Sequence, residues 1–482
     1  MLEKYLDMYK IKLGFAPTRR TMNGEKAFNK AEAGKCKDSI EDWLKTNSIN
    51  YVNLDFLNEE GLLFHGLDVD KVVEKFREEK VDAIFAPHCN FGCEDAVAKL
   101  AKRLNLPLLL WGPREDITDE EGYRYRDSQC GLFATTKVLQ TMGVPFTYIT
   151  SCRLEDELFS RCFTNFMQAA GAVKAVRNPR IGQISLRPDS FWSVKINERE
   201  LLEKFGIEIV TMTLPDLKRL YDQTRDGSKK EITELIDKTK SVFKKINFDE
   251  EYLTNVAALE LSILKWAKVE GLNAAATQCW GPMYDITGIS PCYALSELTE
   301  LGFPTICEDD LHGAVTSLLV NGAVMGETPT FLADVTIRHP QNDNAELFWH
   351  CGVFPKSLMK EGGSPELNCH YNRKVPAVSH FEIKGGDLTV SRFDGRNGDY
   401  SLLMGHGKGT TGPSTLGTYG WIEFKDWPKW EHKFIYGPYI HHCVGVHGKV
   451  APALYEACRY IPGLKPDPVE PTAEEIEKYL RG

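Results

Sequence analysis

The chain has 482 residues, a formal net charge of −10 and a pI near 5.7, with 42% hydrophobic and 26% charged residues. These values are typical of a globular protein of roughly two to four domains, and the acidic balance without a basic block excludes nucleic acid and anionic membrane surfaces as expected partners. The sequence has no signal-peptide core at its start and no apolar run long enough to span a bilayer, so we expect a cytoplasmic protein.

The thirteen cysteines are scattered and odd in number. Cys89 and Cys93 form a C-x3-C pair, but no second pair at zinc spacing follows. We therefore expect buried, reduced thiols rather than a zinc site.

Strand and helix patterns alternate over residues 1–176. The predicted strands are 12–17, 51–55, 83–87, 107–111 and 146–150, and the predicted helices are 25–45, 69–79, 94–104, 128–141 and 155–175. This alternation predicts a parallel sheet with right-handed crossovers. Because no G-x-G-x-x-G follows the first strand, a dinucleotide site is not supported. The sequence RNPR at 177–180 marks the predicted domain boundary.

The alternation restarts and continues to residue 326. The predicted strands are 181–186, 207–214, 274–280 and 304–307, and the predicted helices lie within 200–205, 215–245, 250–268, 293–301 and the segment after residue 310. Gln278 and Trp280 end the strand that we expect beside 304–307, where a ligand is within reach. Packing is the alternative role for both side chains.

From residue 327 the composition shifts towards Gly, Thr, Tyr, Trp and Pro, with short β-like runs at 375–383, 388–393 and 419–424. This predicts an antiparallel, partly barrel-like domain. The Gly-rich stretch 405–413, which contains Lys408, predicts a loop that either wraps an anionic substrate group with its N–H groups or forms a flexible turn. We expect the segment 462–482, with four prolines and an acidic helical pattern, to be a peripheral arm.

The residues that indicate chemistry are concentrated between 304 and 350. They are the carboxylates Glu308–Asp310 that end strand 304–307, Asp334 within the apolar run 331–337, and His350 within the run 346–353. Acids at the carboxyl end of a strand lie where open α/β sheets bind ligands, and a carboxylate in an apolar strand is costly to bury unless it is paired or coordinating. The alternatives are a helix N-cap at 308–310, a solvent-facing Asp334 and a structural His350.

Adjacent histidines, His441 and His442, lie in a further β-like run at 439–447. Neighbours in a strand point to opposite faces, so we expect only one of the two to face a given pocket. Two carboxylates with one or two imidazoles suit a divalent ion such as Mn²⁺, with positions left for substrate oxygens. The ligands are scattered and lack the compact spacing of a zinc motif.

Four short motifs resemble the L-fucose isomerase and L-arabinose isomerase superfamily of metal-dependent aldose–ketose isomerases. They are CEDDLHGA with Glu308, FLADVTI with Asp334, FWHCG with His350, and YIHHCVG with His442. The resemblance implies that these four residues bind Mn²⁺, with Co²⁺ or Mg²⁺ as substitutes, and that Glu308 and Asp334 also exchange protons. The second acid is Asp as in the fucose branch, whereas His350 is similar to the arabinose branch.

The resemblance also implies the fold and the assembly. It predicts two Rossmann-like α/β domains, 1–176 and 177–326, followed by a β-rich domain, 327–482, that completes the metal site. Members usually form trimers or hexamers, in which the first domain of a neighbouring subunit covers the active site. The sequence PHCNFG, with His88 and Asn90, resembles the loop that forms this cover.

The substrate implied is a sugar, converted between aldose and ketose through an enediolate. The fucose branch has Trp and Arg where this sequence has Cys89 and Ala16, which disfavours L-fucose itself. Arg19, Lys408 and His88 leave room for a charged or sulfonated sugar. The alternatives are a metal-dependent lyase or epimerase acting on a sugar acid, and a non-catalytic sugar-binding protein.

Overall fold

The computed structural model describes residues 3–115 and 118–482. The chain forms two compact units. The small unit comprises Lys10–Lys174 and Ala473–Gly482, and the large unit comprises the residues up to Tyr9 and Ala175–Thr472. The predicted division into three domains at 176/177 and 326/327 stays a prediction.

A five-stranded parallel sheet forms the centre of the small unit, in the order β2-β1-β3-β4-β5. Its strands are β1 Leu13–Phe15, β2 Tyr51–Val52, β3 Ala83–Pro87, β4 Leu108–Trp111 and β5 Thr147–Ile149, and its helices are α2 Lys30–Thr46, α3 Val69–Glu78, α4 Glu94–Leu104, α5 Ser128–Thr141, α6 Glu157–Ala175 and α16 Ala473–Arg481. Every residue of β3 and β4 is buried, as expected for strands with helices on both faces.

A four-stranded parallel sheet, in the order β10-β9-β6-β7, begins the large unit. Its strands are β6 Arg180–Ile184, β7 Glu208–Met212, β9 Ala274–Thr277 and β10 Thr305–Ile306. The accompanying helices are α1 Glu3–Asp7, α7 Glu198–Phe205, α8 Leu214–Gly227, α9 Lys229–Val242, α10 Glu250–Glu270, α11 Pro282–Thr287, α12 Cys292–Glu300 and α13 Leu311–Ala323.

The rest of the large unit is a β-barrel. Its elements are β8 Lys245–Ile246, β11 Phe331–His339, β12 Asn342–His350, β13 Glu366–Cys369, β14 Pro376–Glu382, β15 Gly386–Arg396, β16 Asp399–Thr410, β17 Thr418–Glu423, β18 His442–His447 and β19 Leu464–Pro468, with helices α14 Trp427–Tyr436 and α15 Ala451–Cys458. The antiparallel ring runs β16-β15-β18-β11-β12-β17 and closes because β17 also pairs with β16. The predicted fold class, parallel α/β sheets followed by a barrel-like part, is confirmed.

Helix α13 joins the two sheets of the large unit. It packs against β9 of the parallel sheet and against β15 and β18 of the barrel. All of its residues are buried, which explains why its sequence is apolar and small on every face. Its N-terminus therefore brings the end of β10 to the barrel wall.

Two predictions about the C-terminal part are wrong. Gly405–Thr410 is not a loop but part of β16, where the glycines permit close packing: a Cβ at Gly405 would lie 2.5 Å from Trp430 Cζ2 and one at Gly407 2.5 Å from Ile422 Cγ2. The segment 462–482 is not a peripheral arm, because β19 pairs with β16 in the large unit and α16 buries Ile476 and Leu480 in the small unit.

The thirteen cysteines are present as thiols in the described part of the chain, and ten of them are buried. The helices in the described part of the chain are too short or too polar to cross a bilayer.

Candidate metal centre

The turn after β10 presents three consecutive carboxylates. Glu308 and Asp309 have left-handed backbone angles, with φ of 62° and 56°, and both side chains are buried. Such angles cost free energy in residues other than glycine and are retained where the surrounding structure over-determines them. Asp310 ends the turn as the N-cap of α13, where its Oδ1 accepts the N–H of Gly313 at 2.9 Å. The N-cap alternative therefore holds for Asp310 but not for Glu308.

The barrel supplies Asp334 and His442 from neighbouring strands. They are directly opposed in the antiparallel register of β11 and β18. Nε2 of His442 lies 3.2 Å from Glu308 Oε2 and 3.5 Å from Asp334 Oδ1. The structure thus brings together three of the four predicted ligands, of which Glu308 and His442 are 134 positions apart in the sequence.

His441 also reaches this cluster, with Nε2 3.9 Å from Asp334 Oδ1. The prediction that only one of the two histidines faces the pocket is wrong. The reason is that His441 precedes β18, so the alternation of side chains along a strand does not apply to it.

A buried network holds His442 from its other side. Its Nδ1 donates to Asp310 Oδ2 at 2.9 Å, and the same carboxylate accepts two hydrogen bonds from Arg392. Arg392 also donates to Asp394 at 3.0 Å, and Asp394 in turn lies 3.0 Å from Nδ1 of His312. Hydrogen bonds of this kind fix the orientation of a ligating imidazole.

Sequence reasoning missed this network. Arg392 and Asp394 lie about eighty residues beyond Asp310, in a strand where their alternation with apolar residues looks like that of an ordinary solvent-facing pair. Only Asp310 carried a signal, as a candidate N-cap before a helical pattern. Arg392 is 0% exposed, so its charge must be compensated within the protein.

The ionisation of each group in the site depends on its neighbours. Burial opposes ionisation of Asp310, but Arg392 and His442 together hold the pKa of this carboxyl well below its usual range. Burial also lowers the pKa of His442, yet the hydrogen bonds to Asp310 and Glu308 outweigh it and raise the pKa to about 10. Glu308 has a lowered pKa, because the hydrogen bond to His442 and the nearby histidines overcome its burial.

The pKa of Asp309 shifts in the opposite direction from that of Asp310. Burial raises the pKa of Asp309 to about 7, against the hydrogen bond that Gln183 donates to its Oδ2 at 2.8 Å. The three adjacent carboxylates therefore differ in charge at neutral pH, because only Glu308 and Asp310 face cationic partners.

The donor set fits a divalent cation. Ligand atoms of Asp334, His441 and His442 all lie within 4.8 Å of one another. Within residues 3–115 and 118–482, Asp334 Oδ1 is a buried atom without a hydrogen-bond partner. Mixed carboxylate and imidazole donors suit Mn²⁺ and similar ions, and such an ion would replace the proton that His442 carries.

His350 is buried at the end of β12 but is not part of this close cluster. Its Nδ1 accepts the N–H of Cys351 at 2.9 Å, and its Nε2 has no hydrogen-bond partner among the described residues. Its role as a metal ligand stays a prediction.

Of the other predicted site residues in the large unit, Gln278 and Trp280 contact neighbouring side chains. Gln278 and Trp280 lie just beyond β9 rather than within it; Gln278 accepts a hydrogen bond from Ser185 at 2.9 Å, and the ring of Trp280 lies under the guanidinium of Arg373 at 3.5 Å. Lys408 is exposed on β16, opposite Asp387 and Glu423 in register.

The predicted residues of the small unit have partners there. Arg19 donates to both oxygens of Glu60, at 2.7 and 2.9 Å. His88 is buried, with Nε2 2.8 Å from Thr135 Oγ1, and burial lowers its pKa to about 4. Asn90 accepts the backbone N–H of Arg20 at 2.7 Å. Their predicted contacts with substrate stay predictions.

Comparisons with known proteins identify sugar isomerases among those similar to this chain. The family described as fucose/sulfoquinovose isomerase, N-terminal domain, matches residues 21–177. The sulfoquinovose isomerase of Priestia aryabhattai is 25% identical over 382 residues, covering 79% of this chain and 82% of the relative, and that of Priestia megaterium matches equally. The sulfoquinovose isomerase of Alkalicoccus urumqiensis is 27% identical over 328 residues, covering 68% of this chain and 72% of the relative.

Solved structures of sugar-binding proteins align only loosely. A periplasmic solute-binding protein from Actinobacillus succinogenes 130z with bound D-allose is 12% identical, covers 66% of this chain and 89% of its own, and has a TM-score of 0.17. A likeness at this level does not establish a shared fold. The matched N-terminal domain and the curated isomerases support the relationship that the four motifs predicted, to the fucose/arabinose isomerase-type superfamily of aldose–ketose isomerases.

Proposed function

We propose that this protein is a metal-dependent isomerase that converts a sulfonated hexose, such as sulfoquinovose, into the corresponding ketose. The observation that carries the proposal is that Glu308 and Asp334 both lie close to Nε2 of His442, at 3.2 and 3.5 Å, where the parallel sheet meets the barrel. The curated relatives named sulfoquinovose isomerase support the substrate class, since they align over as much as 79% of the chain.

A divalent ion held by Glu308, Asp334 and His442, with His441 or His350 as a further ligand, would supply a Lewis acid that stabilises negative charge on an enediolate. Mn²⁺ is our first choice, with Co²⁺ or Mg²⁺ as substitutes.

Glu308 and Asp334 are the residues that we propose to move protons. Converting an aldose to a ketose removes the proton on C2, returns a proton to C1, and shifts the hydroxyl proton from O2 to O1. Because nearby histidines lower the pKa of Glu308, its carboxylate is ionised at neutral pH and is able to accept a proton. The left-handed turn and the burial of Glu308 restrict its motion, which favours one proton-transfer geometry.

Asp310 and Arg392 act on His442 rather than on the sugar. The hydrogen bond from His442 Nδ1 to Asp310 directs Nε2 towards Glu308 and Asp334. Arg392 keeps Asp310 ionised, so the imidazole is held in one orientation throughout the reaction.

The test is to incubate the protein, stripped of metal and then supplied with Mn²⁺, with sulfoquinovose in D₂O and to follow the products by NMR. We expect a ketose that carries deuterium on C1, because a carboxylate exchanges its proton with solvent between abstraction and return. A dehydrated product would identify a lyase, and an unchanged sugar would refute the proposal. A ketose without deuterium would indicate hydride transfer and would leave both acids as ligands only.

We also propose that the enzyme assembles as a trimer or hexamer in which residues 87–92 of one subunit cover the sugar site of its neighbour. The support is the match of residues 21–177, which contain this loop, to the family's N-terminal domain. The cytoplasmic location stays a prediction.

A further inference from the structure

Arg373 lies in the turn between β13 and β14, where an aromatic pair supports its guanidinium. Its Cζ is 3.5 Å from the ring centre of Trp280 and 5.5 Å from that of Tyr284. The guanidinium also donates a hydrogen bond to the hydroxyl of Tyr284. Stacking on two rings restricts the long side chain and reduces the entropy that it would lose on binding a ligand.

The turn itself is held by His370. Nδ1 of His370 accepts the backbone N–H groups of Asn372 and Arg373, each at 3.3 Å. Its Nε2 lies 3.3 Å from Sγ of Cys351, the residue that follows His350. The position of Arg373 is therefore tied to the end of β12, beside the metal centre.

Tyr371, in the same turn as Arg373, contacts an aromatic residue of β12 near that centre. Trp349 is opposed to Asp334 in the register of β11 and β12, and its ring meets Tyr371 edge to face at 5.8 Å. Tyr371, two residues before Arg373, therefore contacts the residue that is opposed to Asp334 in the barrel.

The charge of Arg373 has no carboxylate partner within the described ranges 3–115 and 118–482; its guanidinium donates only to the neutral hydroxyl of Tyr284. Arg392, by contrast, is bound by both Asp310 and Asp394. Arg187 donates to the backbone carbonyls of Pro188 and Asp189 in its own turn. A half-buried cation beside the site and without an acidic partner is suited to binding an anion.

We propose that Arg373, supported by Trp280 and Tyr284, binds the sulfonate of the substrate and is the specificity-determining residue of this enzyme; the inference rests on the proposed function. A sulfonate presents three oxygens carrying one negative charge, which a guanidinium can meet with two parallel N–H···O bonds. The sulfonate end of the sugar would then lie at Arg373 while C1 and C2 lie at Glu308 and Asp334.

The experiment uses the Mn²⁺-loaded full chain and compares wild type with Arg373→Met and Arg373→Lys. For each we would measure kcat and KM for sulfoquinovose, and the inhibition constant of 6-deoxy-D-glucose, which is the same hexose without the sulfonate. Arg187→Met and Lys360→Met are controls that remove other cations from the same unit; Lys360 is paired with Glu382. Thermal unfolding of every variant checks that it is folded.

We expect Arg373→Met to raise KM for sulfoquinovose by about 10- to 100-fold, the range for a hydrogen bond to a charged group, and to leave the inhibition constant of 6-deoxy-D-glucose within about twofold. Arg373→Lys should restore part of the lost affinity, since lysine keeps the positive charge but lacks the planar guanidinium that makes two parallel hydrogen bonds. An equal loss of affinity for both sugars, or a selective loss in either control instead, would overturn the inference while the proposed function stands. If wild type does not convert sulfoquinovose, both fail together.

Discussion

Asp309 and Asp310 are adjacent buried carboxylates that face opposite electrostatic environments, which makes their Asn variants a matched pair. Asp310 contacts Arg392 and His442, whereas Asp309 accepts one hydrogen bond from Gln183 and has its second oxygen unpaired among the described residues. Asn preserves shape at both positions. It also tolerates the left-handed backbone of Asp309, and at Asp310 it keeps the acceptor that caps α13.

Asp310→Asn should destabilise the metal-free protein. Removing one partner of a buried ion pair costs about 3–5 kcal/mol, and we expect the lower end because Asp394 still compensates Arg392. The depressed pKa of Asp310 means that its contribution is present above the unfolded-state pKa of about 3.9 and is lost only as pH falls through the lower folded-state value. The penalty of the variant should therefore persist from pH 8 down to about pH 5.

Asp309→Asn should instead stabilise the metal-free protein. Its pKa rises from 3.8 to about 7 on folding, so the wild-type carboxyl costs free energy that builds up between these pH values and remains above them. At 1.36 kcal/mol per pKa unit, this free-energy cost amounts to about 4 kcal/mol. The variant should be more stable than wild type by up to that amount at pH 8 and equally stable near pH 4.

The assay is differential scanning calorimetry in EDTA at pH 4, 5 and 8, following the transition of the large unit. We expect Asp310→Asn to lower its midpoint by about 5–10 °C at pH 8 and Asp309→Asn to raise it. The double variant Asp310→Asn/Arg392→Met should lose less stability than the two single variants lose together, since both members of the ion pair are then gone. Shifts of the same sign for the two Asn variants at pH 8 would refute this account of the site.

The metal, the two acids and the cover between subunits can each be tested separately. Activity should vanish on chelation and return with Mn²⁺, and less with Co²⁺ or Mg²⁺; full activity in metal-stripped enzyme, checked by elemental analysis, would exclude the metal role. The catalytic rates of Glu308→Gln and Asp334→Asn should stay roughly 10²–10⁴-fold below wild type at saturating Mn²⁺, because each variant loses a proton-transfer group. The rate of His442→Gln should recover substantially under the same conditions. Recovery of all three variants would show that both acids are metal ligands only. If residues 87–92 cover a neighbour's site, a diluted monomer should be folded but inactive, and sedimentation of a fully active monomer would exclude the cover.

The periodicity of the sequence was sufficient for most of the fold. The helices Glu94–Leu104 and Ser128–Thr141 and the strand Ala83–Pro87 were predicted with their observed bounds. These elements are determined locally, because an amphipathic or continuously apolar pattern with clear ends leaves few alternatives. The candidate ligands were also visible, since carboxylates and histidines stand out in apolar runs.

Patterns in sequence did not reveal what depends on contacts between distant strands. The glycines from Gly405 to Gly409 looked like a loop, because only the packed barrel shows that neighbouring chains approach too closely for a Cβ. The entry of His441 into the cluster depends on where β18 begins, which hydrogen bonding across the barrel decides.

The ionisation of the site was likewise decided by tertiary structure. Glu308, Asp309 and Asp310 are equivalent acids in the sequence, yet their pKa values move in different directions according to which partner each one meets. Arg392, which is decisive for Asp310, comes from a strand 82 residues away. Sequence by itself determined which residue types were available to the site, and the three-dimensional fold determined their charges, because electrostatic interactions depend on distance and burial rather than on order along the chain.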